Sequence, residues 1–387
     1  MAGLYIHIPF CVSRCIYCGF YSTTSISLQR QYTDVLCREL ELRRNYLKEA
    51  EDAGKSPEIS TIYLGGGTPS QLSPDDLNKI FDAIYNKVFT VDRVPVSPTA
   101  EVTIECNPDD ITPQFVKNVA QLPINRVSMG VQTFSDQRLK FLQRRHTSQD
   151  VGKATDLLRK ADIRNISIDL MFGFPQQSIE EWKSDLQSAI ELGVEHISAY
   201  SLMYEKNTPL YNLLQRNKIQ EVDEETALSM YDTLIDMLTA NGFEHYEISN
   251  FARLGFRSRH NSNYWQAVSY LGIGASAHSY NGYTRQWNVA DINRYIQSIE
   301  QGILPAEIEK LDDDTRYNDL ITTGLRTKEG INLSALHPTY QSFLLRYAQP
   351  HLLRNNLQLI NNHLSLTRKG IFISDSIMTD LIKVDNS

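Results

Sequence analysis

The sequence predicts an α/β fold: a partial (β/α)6 TIM-like barrel followed by a small, mostly helical C-terminal domain. Three observations carry that prediction. Six apolar strand-like runs alternate with amphipathic helical stretches as far as about residue 215. Each run has one apolar and one polar face. The periodicity then breaks between Ile299 and Asp314, where Gly302, Pro305 and an acidic run intervene. Eight βα units normally take about 250 residues, so six are the better fit. The expected divisions are 1–215 for the barrel, 216–300 for an extension and 301–387 for the C-terminal domain.

The strands are expected at Leu4–Ile8, Thr61–Leu64, Val102–Cys106, Arg126–Gln132, Asn165–Phe172 and His196–Ser201. The helix after Leu72 is well marked. Ser73 can cap it, Pro74 fits its first turn, and Asp75 and Asp76 suit its positive end. Leu77, Ile80, Phe81, Ile84 and Val88 then recur at helical spacing. Ser178 with Glu181 reads as a capping box before Trp182, Leu186 and Ile190. Further on come a helix over Glu224–Asn241, the stretch His245–Ala252, and a Gly/Tyr/His-rich region to Arg285. In RNNLQLINNHLSLTRKGIFISD two short strands pair as a wing; Lys and Arg are too sparse there for a nucleic-acid reader, so a lid or docking surface is expected.

Strand alternation places chemistry inside the barrel. Side chains point to opposite faces in turn. Ile6 and Ile8 leave Tyr5 and His7 on the other face; Val102, Ile104 and Cys106 leave Thr103, Glu105 and Asn107. Val127, Met129 and Val131 leave Ser128, Gly130 and Gln132, while Ile166, Ile168 and Leu170 leave Ser167 and Asp169. An antiparallel sheet with a wet side would show the same alternation. The intervening helices favour a barrel with a polar interior instead.

Composition narrows the function. The chain has 38 basic and 46 acidic residues, a net charge of −8, and no basic face for nucleic acid. No apolar run reaches the roughly 18–20 residues that span a bilayer, and no signal peptide precedes the first strand. A cytoplasmic, non-transmembrane protein is expected, its oligomeric state open between monomer and dimer. Five cysteines, an odd number, argue against a disulfide framework.

Cys11, Cys15 and Cys18 crowd into CVSRCIYC directly after the first strand, where barrel active sites form. Three thiolates suit a [4Fe–4S] cluster with one iron left open to a substrate or cofactor. A zinc site needs a fourth ligand, for which only His7 is near, and redox or inert thiols are the third reading. Cys37 and Cys106 fit as small core residues.

CxxxCxxC with Tyr17 between its last two cysteines resembles the radical S-adenosylmethionine (SAM) superfamily. Over most of residues 4–280 the chain resembles the oxygen-independent coproporphyrinogen III oxidase family, through LYIHIPFCVSRCIYC, YLGGGTPSQL, EVTIECNPDDI, RVSMGVQTFSDQRLKFLQRRH, SIDLMFGFP and GIGASAHSY. The resemblance implies that the open iron chelates S-adenosylmethionine, whose reductive cleavage gives a 5′-deoxyadenosyl radical. It implies further that Gly66, Gly67 and Thr68 form the loop reaching the methionine amino end, and that Tyr5, Tyr17 and Gly19 lie around the cluster and adenine. Glu105, Gln132, Arg144 and Asp169 would hold the amino-acid and ribose parts.

Departures from the oxidases point to another branch of that family. The oxidases resemble CxxxCxxCxC, whereas the residue two after Cys18 is Phe20. They carry a long N-terminal extension, whereas here Tyr5 starts the barrel almost at Met1. His278 stands where they have an aliphatic residue near a second S-adenosylmethionine. All three differences are similar to the heme chaperone branch, HemW, as is HNxxYW at residues 260–265, linked there to heme binding. An imidazole can ligate heme iron and aromatic rings can pack on a porphyrin, which makes His260 the expected heme-site residue. A buried, hydrogen-bonded His260 with Tyr264 and Trp265 in the core is the bland reading. The expected function is binding heme and delivering it to an acceptor, such as a membrane respiratory protein, with no catalytic residue assigned. The alternative is anaerobic oxidative decarboxylation of coproporphyrinogen III; another radical reaction on an unknown substrate is a third reading.

Overall fold

The computed structural model describes residues 1–49, 58–90 and 94–384. Six parallel strands run in chain order: β1 (Ala2–Ile8), β2 (Ile59–Gly66), β3 (Val96–Cys106), β4 (Arg126–Gln132), β5 (Asn165–Phe172) and β6 (His196–Ser201). Helices connect them, so the partial (β/α)6 barrel is the fold of the chain. The last three strands have the expected bounds, while β1, β2 and β3 begin earlier than their apolar runs. The helix at Pro74–Asp82 has Ser73 as its cap and continues into a wider, π-type segment at Ala83–Val88. At Ser178 only half of the expected box forms. Its hydroxyl caps the Glu181 amide, but the Glu181 carboxylate turns to Arg138 at 2.8 Å.

The sheet is larger than six strands. Beyond β6 lie β8 (Asn250–Ala252), antiparallel to it, and then β7 (Glu244–Glu247), antiparallel to β8. Beside β1 lies β9 (Tyr270–Ile273), parallel to it, followed by antiparallel β10 (His278–Tyr280), β11 (Thr284–Asn288) and β12 (Ala306–Lys310). β12 and β7 are the two ends of this twelve-stranded sheet.

Strand register sorts the side chains. Leu4, Ile6, Ile8, Ile62, Leu64, Val102, Ile104, Val127, Met129, Ile166 and Ile168 are buried in one apolar core with the surrounding helices. On the other face Tyr5 pairs with Tyr63 and Tyr63 with Thr103, while Glu105 pairs with Ser128 and Ser128 with Ser167. In-register parallel neighbours point the same way, so these polar residues share the barrel interior.

A buried carboxylate pins the sheet extension to the barrel. Glu39, on the Gln29–Leu42 helix, is fully buried. It accepts from Tyr295 Oη (2.6 Å), Asn288 Nδ2 (2.7 Å) and the Gly274 amide (2.8 Å), and pairs with Arg43 at 3.5 Å. Arg43 in turn donates to the Gly272 carbonyl at 3.1 Å and to Gln286 at 2.9 Å. Four separate segments thus meet on one ion pair.

The C-terminal region has its own core, with Tyr317, Ile321, Leu344, Leu364 and Ile377 among its members. The expected wing is β14 (Leu357–Ile360) and β15 (His363–Leu366), turned by Asn361 and Asn362, both at positive φ; β13 (Ile331–Asn332) pairs with β15. No helix among the described residues is long and apolar enough to cross a membrane.

Because Arg43 is almost wholly buried, Glu39→Ala strands its charge. That should cost about 3–5 kcal/mol of unfolding free energy in urea titrations. A loss below about 1 kcal/mol would show that the network does not hold the extension.

Candidate functional site

A cavity of about 620 Å³ opens at the carboxyl ends of β1–β6, within the range of small-molecule and cofactor sites. Its walls contain Cys11, Cys15, Cys18, Tyr17, Gly19, Gly66, Gly67, Thr68, Glu105, Gln132, Arg144 and Asp169. Residues far apart in the chain and singled out on separate grounds therefore converge on one space. Asn107, Ser128, Arg145 and Tyr200 join them. Asn107 and Ser128 were legible from strand parity, whereas Arg145 and Tyr200 carry no local signal. Val12, Phe20 and Met203 line the mouth as exposed apolar side chains.

The three cysteines occupy a half-buried loop, and all five cysteines of the chain are free thiols. Thr68 Oγ1 donates to Cys11 Sγ at 3.5 Å, and Arg144 Nη1 to Cys15 Sγ at 3.4 Å. Burial raises the Cys11 and Cys18 thiols. Cys106 also borders the cavity, but burial and nearby acids push its thiol far up. Strand parity turns it away from the interior.

The donor set discriminates between metals. Both ring nitrogens of His7 are engaged, Nδ1 accepting from Tyr5 Oη at 3.0 Å and Nε2 donating to the Tyr21 carbonyl at 3.1 Å. His7 is therefore not a fourth ligand, and a closed zinc site is not formed. Among the described residues no three donors converge on a single ion. Three thiols from one loop are the donor set that an iron–sulfur cube with one open corner takes.

The floor is electrostatically mixed. Glu105 accepts from Tyr63 Oη at 2.7 Å and from the Gly66 amide at 3.0 Å; burial nonetheless raises its carboxyl. Asp169 is pushed up to about 7, chiefly by burial and then by the charge of Glu105. Arg144 is held by Asn107 Oδ1 and the Gly130 carbonyl, each at 2.6 Å. Gly66 is required by close approach. It sits at φ +111°, and a Cβ there would lie 2.4 Å from the His7 ring. Two carboxyls and one guanidinium around a cysteine loop suit a small zwitterion carrying an additional positive charge.

Two expected residues lie elsewhere. Tyr5 stays inside the barrel, hydrogen-bonded to His7, and does not reach the cavity wall. His260 is buried on the Arg259–Trp265 helix, against the amino ends of the strands near Gly3, Thr61 and Glu101. Its Nδ1 meets Thr61 Oγ1 at 2.8 Å and its Nε2 meets Tyr264 Oη at 2.9 Å. Burial lowers its pKa to about 3. Both ring nitrogens thus have partners in this structure, the arrangement of the bland reading of HNxxYW. The cysteine loop lies at the other end of the strands.

Comparisons with known proteins agree with this architecture. Residues 5–189 match the model of the radical SAM superfamily, and residues 311–373 match that of the HemN C-terminal domain. A Bacillus subtilis protein named heme chaperone HemW is 34% identical over 97% of this chain and 98% of its own length. A Lactococcus lactis protein of the same name is 32% identical over 98% of this chain and 97% of its own length. The solved structure of the Escherichia coli coproporphyrinogen III oxidase HemN, titled a radical SAM enzyme, superposes with a TM-score of 0.81. It covers 99% of this chain and 90% of that one at 22% identity, a likeness of fold.

Asp169 generates a pH test. Its native carboxyl, moved from 3.8 to about 7, keeps a proton that the unfolded chain has already released. Stability is therefore lost as pH rises through that window. Asp169→Asn should raise the melting temperature more at pH 8 than at pH 5; an equal change at both values would show that Asp169 does not hold the proton.

Proposed function

We propose, from the fact that this chain belongs to the HemW family within the radical SAM superfamily, that it binds heme and passes it to an acceptor protein. The carrying observation is full-length similarity to proteins named heme chaperones, against a likeness of fold alone to the oxidase. Phe20 agrees with this reading. It stands exposed at the cavity mouth, in the position of the last cysteine of the oxidase pattern. The cargo is heme, and the acceptor in this reading is a membrane respiratory protein met from the cytoplasmic side. The five free thiols suit that reducing compartment.

Cys11, Cys15 and Cys18 would hold a [4Fe–4S] cluster through three irons. Arg144 would hold the amino-acid end of S-adenosylmethionine, while its own contacts to Asn107 and Gly130 keep the guanidinium in place. Glu105, Asp169 and Gln132 would hold the amino-acid and ribose parts of S-adenosylmethionine beside it. The Gly66–Thr68 loop keeps the wall thin next to the cysteines. When bound together, such a cluster and S-adenosylmethionine supply one-electron cleavage of the sulfonium. In a chaperone the same pair would serve to regulate docking or transfer.

The deciding experiment is anaerobic incubation with reconstituted cluster, S-adenosylmethionine, reductant and coproporphyrinogen III, followed by mass spectrometry. No loss of carboxyl groups is expected, together with stoichiometric hemin binding; catalytic decarboxylation would restore the oxidase. Cys15→Ala should lose the iron–sulfur absorbance after reconstitution, and a full cluster in that variant would remove the three-thiolate assignment.

A further inference from the structure

Resting on the heme-binding reading, we infer that His278 is the axial ligand to the heme iron. The chain has nine histidines, all within the described residues. Ring nitrogens of the other eight are engaged: both in His7, His196 and His260, and one each in His146, His245, His337, His351 and His363. His278 alone has no hydrogen bond to either nitrogen among the described residues, and its side chain is exposed. A ligating imidazole needs a free lone pair and a path for the metal; on the barrel's twelve-stranded sheet His278 is the exposed ring with both nitrogens free, while the open nitrogens of His337 and His363 lie in the C-terminal region.

The surroundings of His278 are those of a held ligand. It lies on β10 directly across from Trp287 on β11, and the two rings stack at 6.1 Å with 29° between planes. Such stacking fixes the imidazole plane and leaves its nitrogen edge free. The backbone is equally constrained. β10 crosses Gly272 so closely that a Cβ there would sit 1.9 Å from the His278 carbonyl oxygen. Partial burial and the Arg285 charge lower the His278 pKa, which favours the neutral, metal-binding form of the ring.

Nearby charges define what kind of binding this is. Arg285 is committed to Asp319 at 2.5 Å and faces Glu309 at 3.9 Å, while Glu307 lies opposite Trp287. No free cation is thus offered to the propionates by this pair of strands. Recognition at His278 runs through the iron, and a porphyrin without metal gains little from it.

The test is hemin titration of the full-length protein with its cluster reconstituted, read as heme difference spectra and by electron paramagnetic resonance. His278→Ala should bind hemin about tenfold or more weakly, with the signature of nitrogen ligation lost. Added imidazole should restore that signature on hemin that stays with the protein through gel filtration, which a purely structural defect would not allow. Metal-free protoporphyrin IX should bind wild type and His278→Ala alike. His260→Ala, if folded by circular dichroism, should keep the wild-type heme spectrum. Unchanged spectrum and affinity in His278→Ala, or loss of the signature in a folded His260→Ala, would overturn the assignment while leaving heme binding intact. Failure of the wild type itself to bind hemin stoichiometrically would overturn the heme-binding reading and this one with it.

Discussion

Everything at the site depends on parity in register. In β1–β6 alternate residues face the helices or the interior, and parallel pairing keeps neighbours on the same side. A slip of one residue in β3 would send Glu105 into the apolar layer and bring Ile104 onto the cavity floor. The tightly packed outer face forbids that slip. Leu4, Ile6, Leu64, Ile104, Val127, Ile168 and Ile197 are all fully buried, so burying charge among them would cost several kcal/mol. The apolar core therefore fixes where the polar site residues point.

That dependence explains why so much was legible in the sequence. Where a strand alternates cleanly and a helix follows, as in β4, β5 and β6, the pattern specifies both bounds and facing. Thr103, Glu105, Ser128 and Asp169 follow from it. The sheet extension was not legible in the same way. β7 to β12 are three to five residues long, too short for periodicity to stand out, and glycines at positive φ mark only the β9–β10 and β10–β11 turns, at Gly274 and Gly282. Glu39 is the instructive miss. A glutamate on an amphipathic helix reads as solvated, yet three groups from distant segments, with Arg43 one turn on, make it a buried hub.

Arg144 and His260 show the limits of motif reading in opposite directions. Nothing local marks Arg144, which is aimed by the turn at Gln143, a residue at positive φ, and locked by Asn107 and Gly130. Only the resemblance singled it out, and the fold brings it against Cys15. HNxxYW, by contrast, is conspicuous in the sequence, but a string of residue types does not say which end of a barrel it closes. The Ser258 cap and the Glu101 carboxylate, which takes the Arg259 and His260 amides, settle that helix at the amino ends of the strands.

A histidine that builds a fold and one that receives a metal are under opposing demands. Inside a protein an unpaired ring nitrogen costs about 1–3 kcal/mol, so burial drives His260 to satisfy both of its nitrogens with Thr61 and Tyr264. The same satisfaction removes the lone pair a metal would use. An imidazole with neither nitrogen satisfied is best tolerated where water reaches it, and there it needs another means of orientation. Trp287 supplies that means for His278 by stacking, which holds the ring without spending its nitrogens. The barrel can thus keep one histidine closed at its base and another open on its extended sheet, and only the second retains the chemistry of a ligand.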